Sequence, residues 1–105
     1  TVFMYMSDVE KGGETIFPRH EGAPEPQDFG DCSKGLKVAP ERRKVIIFYN
    51  MHPNGDLDPK SLHGGCRVYN GTKWSANFWV WNVKMAYKTT EDHFSMAKQL
   101  VHFEG

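Results

Sequence analysis

The chain has 105 residues, enough for one small domain with one core. Thirteen basic and 13 acidic residues give a formal net charge of zero, which argues against a basic nucleic-acid binder. Three Trp, four Tyr and seven Phe exclude a disordered chain, which is poor in aromatics. The longest apolar run, residues 45–49, is far shorter than the roughly 18 residues of a membrane span. No stretch reads as the apolar core of a signal peptide.

The chain opens at Thr1 on a strand pattern, Thr-Val-Phe-Met-Tyr-Met-Ser, as if cut inside a domain. Gly12-Gly13 predicts a turn, and residues 14–18 a short strand. Residues 19–35 carry Pro24, Pro26, Gly22, Gly30 and Gly35 among polar residues. A loop this long is functional or mobile. Residues 36–38 form a short strand. Residues 45–50, continuously apolar as far as Tyr49, predict a strand buried on both faces. Residues 51–62 hold Pro-Asn-Gly-Asp and Asp-Pro, which is turn chemistry. A strand over 66–69, a turn at Asn70-Gly71 and the longest strand, over 73–83, follow. The reading is all-β, a sandwich, barrel or jelly roll. At the end, Thr89 or Thr90 can cap a helix, with Glu91 and Asp92 in its first turn. Phe94, Met96, Ala97, Leu100, Val101 and Phe103 then predict an amphipathic helix over about 90–103, packed outside the sheet.

Taken singly, His20, His52, His63, His93 and His102 are weak signals, with no His-Glu-x-x-His and no Cys/His zinc spacing. Their order among other motifs says more. Gly-Gly-Glu-Thr-Ile-Phe-Pro at 12–18, Leu-Lys-Val at 36–38 and Val-Ile-Ile-Phe-Tyr-Asn at 45–50 come first. Ser-Leu-His-Gly-Gly-Cys at 61–66 and Gly-Thr-Lys-Trp-Ser-Ala at 71–76 follow, and are the most specific. Together they resemble the C-terminal half of the prolyl 4-hydroxylase catalytic domain, an Fe(II)- and 2-oxoglutarate-dependent dioxygenase. The resemblance covers residues 1–83. It implies a double-stranded β-helix, a jelly roll whose N-terminal strands are missing from this chain. Residues 1–83 are then its later strands, with 19–35 a long mobile loop, and 84–105 a C-terminal extension with the helix.

The resemblance also implies roles. His63 matches the distal His of a two-His, one-carboxylate iron site with open positions for 2-oxoglutarate and O2. Lys73 matches the basic residue that binds the far carboxylate of 2-oxoglutarate. Thr15 matches a Thr whose hydroxyl assists there. Trp79 matches a Trp of the family's Lys-Trp-Ile-His ending, which here reads Phe78-Trp79-Val80-Trp81. Trp79 and Trp81 are therefore candidate substrate contacts, with core packing the other reading of Trp79. The replaced Lys and His leave the peptide preference open. No His-x-Asp occurs, since no Asp stands two places after a His. The expectation is that this pair lies upstream of Thr1, so that the chain alone holds one of three iron ligands and is inactive.

A flat hairpin at Asn70-Gly71 would hold His63 roughly 20 Å from Lys73, too far for one small diacid to bridge. The two strands are therefore expected on opposite sheets, roughly 10 Å apart, with a corner at the Asn-Gly pair. Alternation along the last strand puts Lys73, Ser75, Asn77, Trp79 and Trp81 on a site-facing side. Trp74, Ala76, Phe78 and Val80 then form an apolar packing side.

Two cysteines, Cys32 and Cys66, permit one disulfide, and plant and algal relatives of the family have cysteines at similar places. The alternative is two free buried thiols. A bridge would fit the endoplasmic reticulum lumen, the usual home of the family. Asn70-Gly71-Thr72 is also a glycosylation sequon, read here as a turn. The implied function is hydroxylation of proline at C4 in a peptide or protein, as in procollagen-proline 4-dioxygenases. 2-Oxoglutarate is decarboxylated to succinate, O2 is the oxidant and ascorbate keeps the iron reduced. The alternatives are the same chemistry on a different residue and a non-catalytic jelly-roll binding domain.

Overall fold

Alternating apolar residues in short segments punctuated by Gly and Pro set up strands, and strands are the main regular element among the described residues. The structure is a computed structural model that describes residues 1–82 and the strand Leu100–Glu104. In chain order the strands are β1 (Val2–Tyr5), β2 (Lys11–Gly12), β3 (Thr15–Phe17), β4 (Leu36–Val38) and β5 (Val45–Ile47). A 3-10 turn at Pro59–Ser61 precedes β6 (Gly64–Gly65), β7 (Val68–Asn70), β8 (Thr72–Phe78) and β9 (Leu100–Glu104). They form a four-stranded sheet β5-β1-β8-β9, a three-stranded sheet β4-β3-β6 and a ribbon β2-β7. Neighbouring strands are antiparallel throughout. The mostly β architecture is that of a jelly-roll-like fold.

The two larger sheets face each other. Tyr5 on β1 bonds Thr15 on β3, and the Lys73 ammonium on β8 lies 4.0 Å from where a Cβ on Gly65 of β6 would stand. Between them sits a core of Tyr5, Ile16, Phe17, Cys66 and Val68, together with the buried polar residues Thr15, Lys73 and Ser75.

The Asn70-Gly71 corner is present. β7 pairs with β2, and β8 pairs with β1 and β9, with no ladder between β7 and β8 among the described residues. Gly71 makes the corner at φ +100°, a left-handed conformation that favours glycine. Gly12 is constrained more tightly. It has φ +85°, and a Cβ there would stand 2.1 Å from the Arg67 carbonyl oxygen, where β2 shifts register against β7.

Several expectations are corrected. The apolar run from Val45 is not buried on both faces: β5 is the end strand of its sheet among the described residues, and Val45 and Ile47 are 50% and 69% exposed. Only Ile46 between them turns inward, as strand alternation demands. The longest strand is Thr72–Phe78 rather than 73–83, and it ends where its partner does, with Phe78 opposite Val2. Its apolar side is not a packing side: Trp74 and Phe78 are 41% and 54% exposed, because no described element covers that face. Residues 100–103 of the expected helix are instead strand. Thr72 lies opposite Glu104 and Ala76 opposite Leu100, so β9 takes up the second edge of β8. Residues 90–99 of that helix lie outside the described residues.

The connection between β3 and β4 contains no strand or helix. A disulfide between Cys32 and Cys66, 34 residues apart, ties it to the segment between β6 and β7. Arg19 Nε donates to the Ala23 carbonyl at 2.8 Å, and Asp28 and Asp31 each accept from a backbone N–H two residues on.

Candidate active site

Strand alternation places Lys73 and Ser75 side by side on the inner face of β8, 3% and 0% exposed. β1 runs beside them and sets Tyr5 directly opposite Ser75. From there the Tyr5 hydroxyl crosses to the facing sheet and donates to Thr15 Oγ1 at 2.5 Å. The Lys73 ammonium lies 5.6 Å from the ring centroids of both Phe3 and Tyr5, which cradle the cation on their π faces. Gly13 and Gly65 make room for it. A Cβ at Gly13 would stand 3.4 Å from Lys73 Cδ, and Gly65 faces Nζ from the other sheet.

The electrostatics follow from burial. Desolvation pushes the Lys73 ammonium below the ordinary lysine value, and the charge of Glu14 opposes the shift. Desolvation also pushes the Tyr5 phenol upward against its bond to Thr15, so at neutral pH it stays a hydroxyl and a donor. The Tyr5 hydroxyl has two acceptors in reach, Thr15 Oγ1 and, at 3.3 Å, the Val38 carbonyl. An ammonium and a buried hydroxyl pair make a donor set that suits a carboxylate.

His63 stands on the residue before β6, two residues from Gly65. Its Nδ1 is 2.8 Å from the Ser61 carbonyl oxygen. A carbonyl only accepts, so Nδ1 carries the proton and Nε2 keeps the lone pair that a metal needs. Asp58 caps the 3-10 turn by accepting from Lys60 N, and Ser61 Oγ donates to the Asp58 carbonyl at 2.7 Å, which fixes the carbonyl that orients the ring. Phe48 and Phe17 flank the imidazole at 4.7 and 5.7 Å between centroids. His63 itself is exposed. Among the described residues no group of three His, Cys, Asp or Glu is placed to hold a metal ion. Among the described residues, then, His63 has the free Nε2 that a metal position requires, without a cluster of further metal-binding side chains around it.

The structure thus brings Thr15, Lys73 and His63 to one place. Thr15 pairs with Gly65 across the β3–β6 ladder, two residues from His63, and Gly65 faces the Lys73 ammonium. Cys66 follows directly, and its N–H donates to the Glu14 carbonyl at 2.8 Å, so the disulfide anchors the same corner. Trp79 and Trp81 lie beyond the end of β8 and are 45% and 52% exposed. Neither is a core residue, which corrects the packing alternative for Trp79. Sequence reasoning missed Tyr5, Phe17 and Phe48. Tyr5 was legible as the one phenol on the Phe3-Tyr5 side of an apolar strand, where a buried hydroxyl must find a partner.

Comparison with known proteins agrees with this geometry. The family model of the 2OG-Fe(II) oxygenase superfamily matches residues 1–81. Prolyl 4-hydroxylase 5 of Arabidopsis thaliana is 49% identical over 84 residues, covering 75% of this chain and 29% of that protein. Probable prolyl 4-hydroxylase 8 of the same plant is 48% identical over 84 residues, with 75% and 29% covered. Prolyl 4-hydroxylase 2 is 42% identical over 87 residues, with 76% and 29% covered. The chain spans 29% of the length of each of these relatives.

Proposed function

The chain belongs to the 2OG-Fe(II) oxygenase superfamily, and from that premise we propose that it is the co-substrate-binding part of a prolyl 4-hydroxylase. The overall reaction joins 2-oxoglutarate, O2 and peptidyl proline to give succinate, CO2 and 4-hydroxyproline. The observation that carries the reading is the buried Lys73 ammonium beside the Tyr5–Thr15 hydroxyl pair, facing the segment that presents His63.

Lys73 and Thr15 hold the distal carboxylate, which fixes the direction in which the 2-oxo acid points towards His63. Phe3 and Tyr5 exclude water around the ammonium and strengthen its attraction to the ligand. The Ser61 carbonyl keeps His63 in the tautomer whose Nε2 can ligate iron. Iron, when bound, activates O2 and couples oxidation of the co-substrate to that of the proline. The other iron ligands are supplied by the parent protein outside the described residues. Trp79 and Trp81 offer exposed indoles at the end of β8, the kind of surface that receives an extended, proline-rich segment. Ascorbate serves as the reductant that restores Fe(II), and the Cys32–Cys66 bond suits an oxidising compartment such as the endoplasmic reticulum lumen.

A second reading keeps the chemistry and changes the acceptor residue. It draws on Phe78 and Trp81, exposed aromatics where the resemblance calls for a basic residue and a His. The parent protein incubated with Fe(II), 2-oxoglutarate, O2, ascorbate and a proline-rich peptide separates the two. Added oxygen at proline C4, located by fragmentation mass spectrometry, supports the first reading. Oxygen on another residue supports the second.

A further inference from the structure

We propose that Asn70 carries an N-linked glycan at the exposed corner between β7 and β8. The proposal goes beyond the oxygenase reading and does not depend on it. Asn70-Gly71-Thr72 has the acceptor pattern Asn-x-Thr, with a residue other than Pro in the middle. The turn does not account for the Asn. The tight hairpin that favours Asn-Gly needs positive φ at both residues. Here Gly71 has φ +100°, Asn70 is not left-handed, and β7 and β8 form no ladder among the described residues. Gly71 alone makes the corner, so the backbone does not call for Asn at position 70.

The placement leaves the amide open to modification. Asn70 ends β7 and is exposed, as are its neighbours Glu10, Lys11 and Tyr69. Its Nδ2 donates to Glu10 Oε2. A primary amide has two N–H donors, and one remains for Glu10 after a sugar replaces the other. Lys73, three residues on, is buried between the sheets, so a sugar on the exposed amide does not enter the space around the ammonium. Cys66, four residues before Asn70, is bonded to Cys32. A disulfide and an N-glycan belong to the same secretory environment, and here the two fall in one short segment. The step is a group transfer from an oligosaccharide held on a lipid diphosphate. The bond from the anomeric carbon to the diphosphate oxygen breaks, a bond from that carbon to Asn70 Nδ2 forms, and one amide proton is released with the diphosphate.

The test expresses the full parent gene in eukaryotic cells and digests the purified protein with trypsin. Cleavage after Arg67 and Lys73 releases residues 68–73, which hold the whole sequon. Wild type, Asn70→Gln, Thr72→Ala and Thr72→Ser are compared by mass spectrometry, with fragmentation that keeps the first sugar on its side chain. In wild type and Thr72→Ser this peptide is expected to carry N-acetylhexosamine on Asn70, extended by hexoses. Asn70→Gln and Thr72→Ala are expected to lose the glycopeptide completely and to give the bare peptide. Wild type recovered only as the bare peptide would overturn the assignment. So would a sugar that persists in Thr72→Ala, because the hydroxyl two residues on defines the acceptor. No 2-oxoglutarate enters the measurement, so these results leave the oxygenase reading standing, and a protein that releases no succinate leaves the glycan assignment standing.

Discussion

Lys73 puts a cation where the chain otherwise buries apolar groups, and its titration carries a prediction. In the unfolded chain the ammonium keeps its proton to the ordinary lysine value; in the folded protein burial releases it earlier. Between those two points the unfolded state binds more protons, so the stability of the ligand-free protein rises with pH in that window. The carboxylate needs the charged form, so affinity for 2-oxoglutarate falls as pH rises through the same lowered value. Calorimetric Kd values from neutral pH to about pH 10 should show that alkaline loss, and Lys73→Arg should flatten it because a guanidinium stays charged there. A Kd level across the range in wild type would contradict the role of the ammonium. His63 makes the opposite case. It is exposed, so His63→Ala should leave the melting temperature nearly unchanged while Mn(II) affinity drops at least ten-fold, read by titration of the metal. Both residues were legible in the sequence because each sits in a distinctive motif of fixed order. Ser75 was read on the site-facing side by alternation, whereas Tyr5 was not chosen, because a Tyr in a strand has many uses and only its bond to Thr15 on the facing sheet sets it at the site.

Elements depend on neighbours that a sequence does not display. Val-Ile-Ile reads as a central strand by its apolarity, yet β5 lies at the end of its sheet, since an apolar run does not say how many strands flank it. Leu100, Val101 and Phe103 fit helical spacing and strand composition equally, and pairing with β8 decides for the strand. The Asn-Gly corner, by contrast, followed from distance once the resemblance gave His63 and Lys73 their roles: one small diacid must reach from one to the other. Two variants test what holds these elements. Cys32→Ser opens a bridge across 34 residues and should lower stability by about 3–4 kcal/mol on the chain-entropy model, read from urea denaturation. Gly12→Ala forces a Cβ into left-handed backbone against the Arg67 carbonyl, and should lower stability by about 1–3 kcal/mol in the same assay. A wild-type midpoint for Gly12→Ala would mean that β2 and β7 do not meet as described.

At the scale of the molecule, zero net charge and dense aromatics first described a small self-contained domain. The chain spans 29% of the length of the matched relatives, so its charge and composition do not carry over to proteins of that length. The aromatic density has two parts. Tyr5, Phe17 and Phe48 surround the candidate site, whereas Tyr49, Trp74, Phe78, Trp79 and Trp81 are exposed on described surfaces. The central claim is that Lys73, Thr15 and His63 serve one oxidation in which a 2-oxo diacid and a prolyl peptide are consumed together. Its most direct measurement follows succinate and 4-hydroxyproline in the same reaction, with the parent protein, Fe(II), 2-oxoglutarate and a proline-rich peptide. The account predicts that the two products form in equal amounts and that both vanish in Lys73→Ala. Iron-loaded protein that releases no succinate with any proline-containing peptide would contradict it.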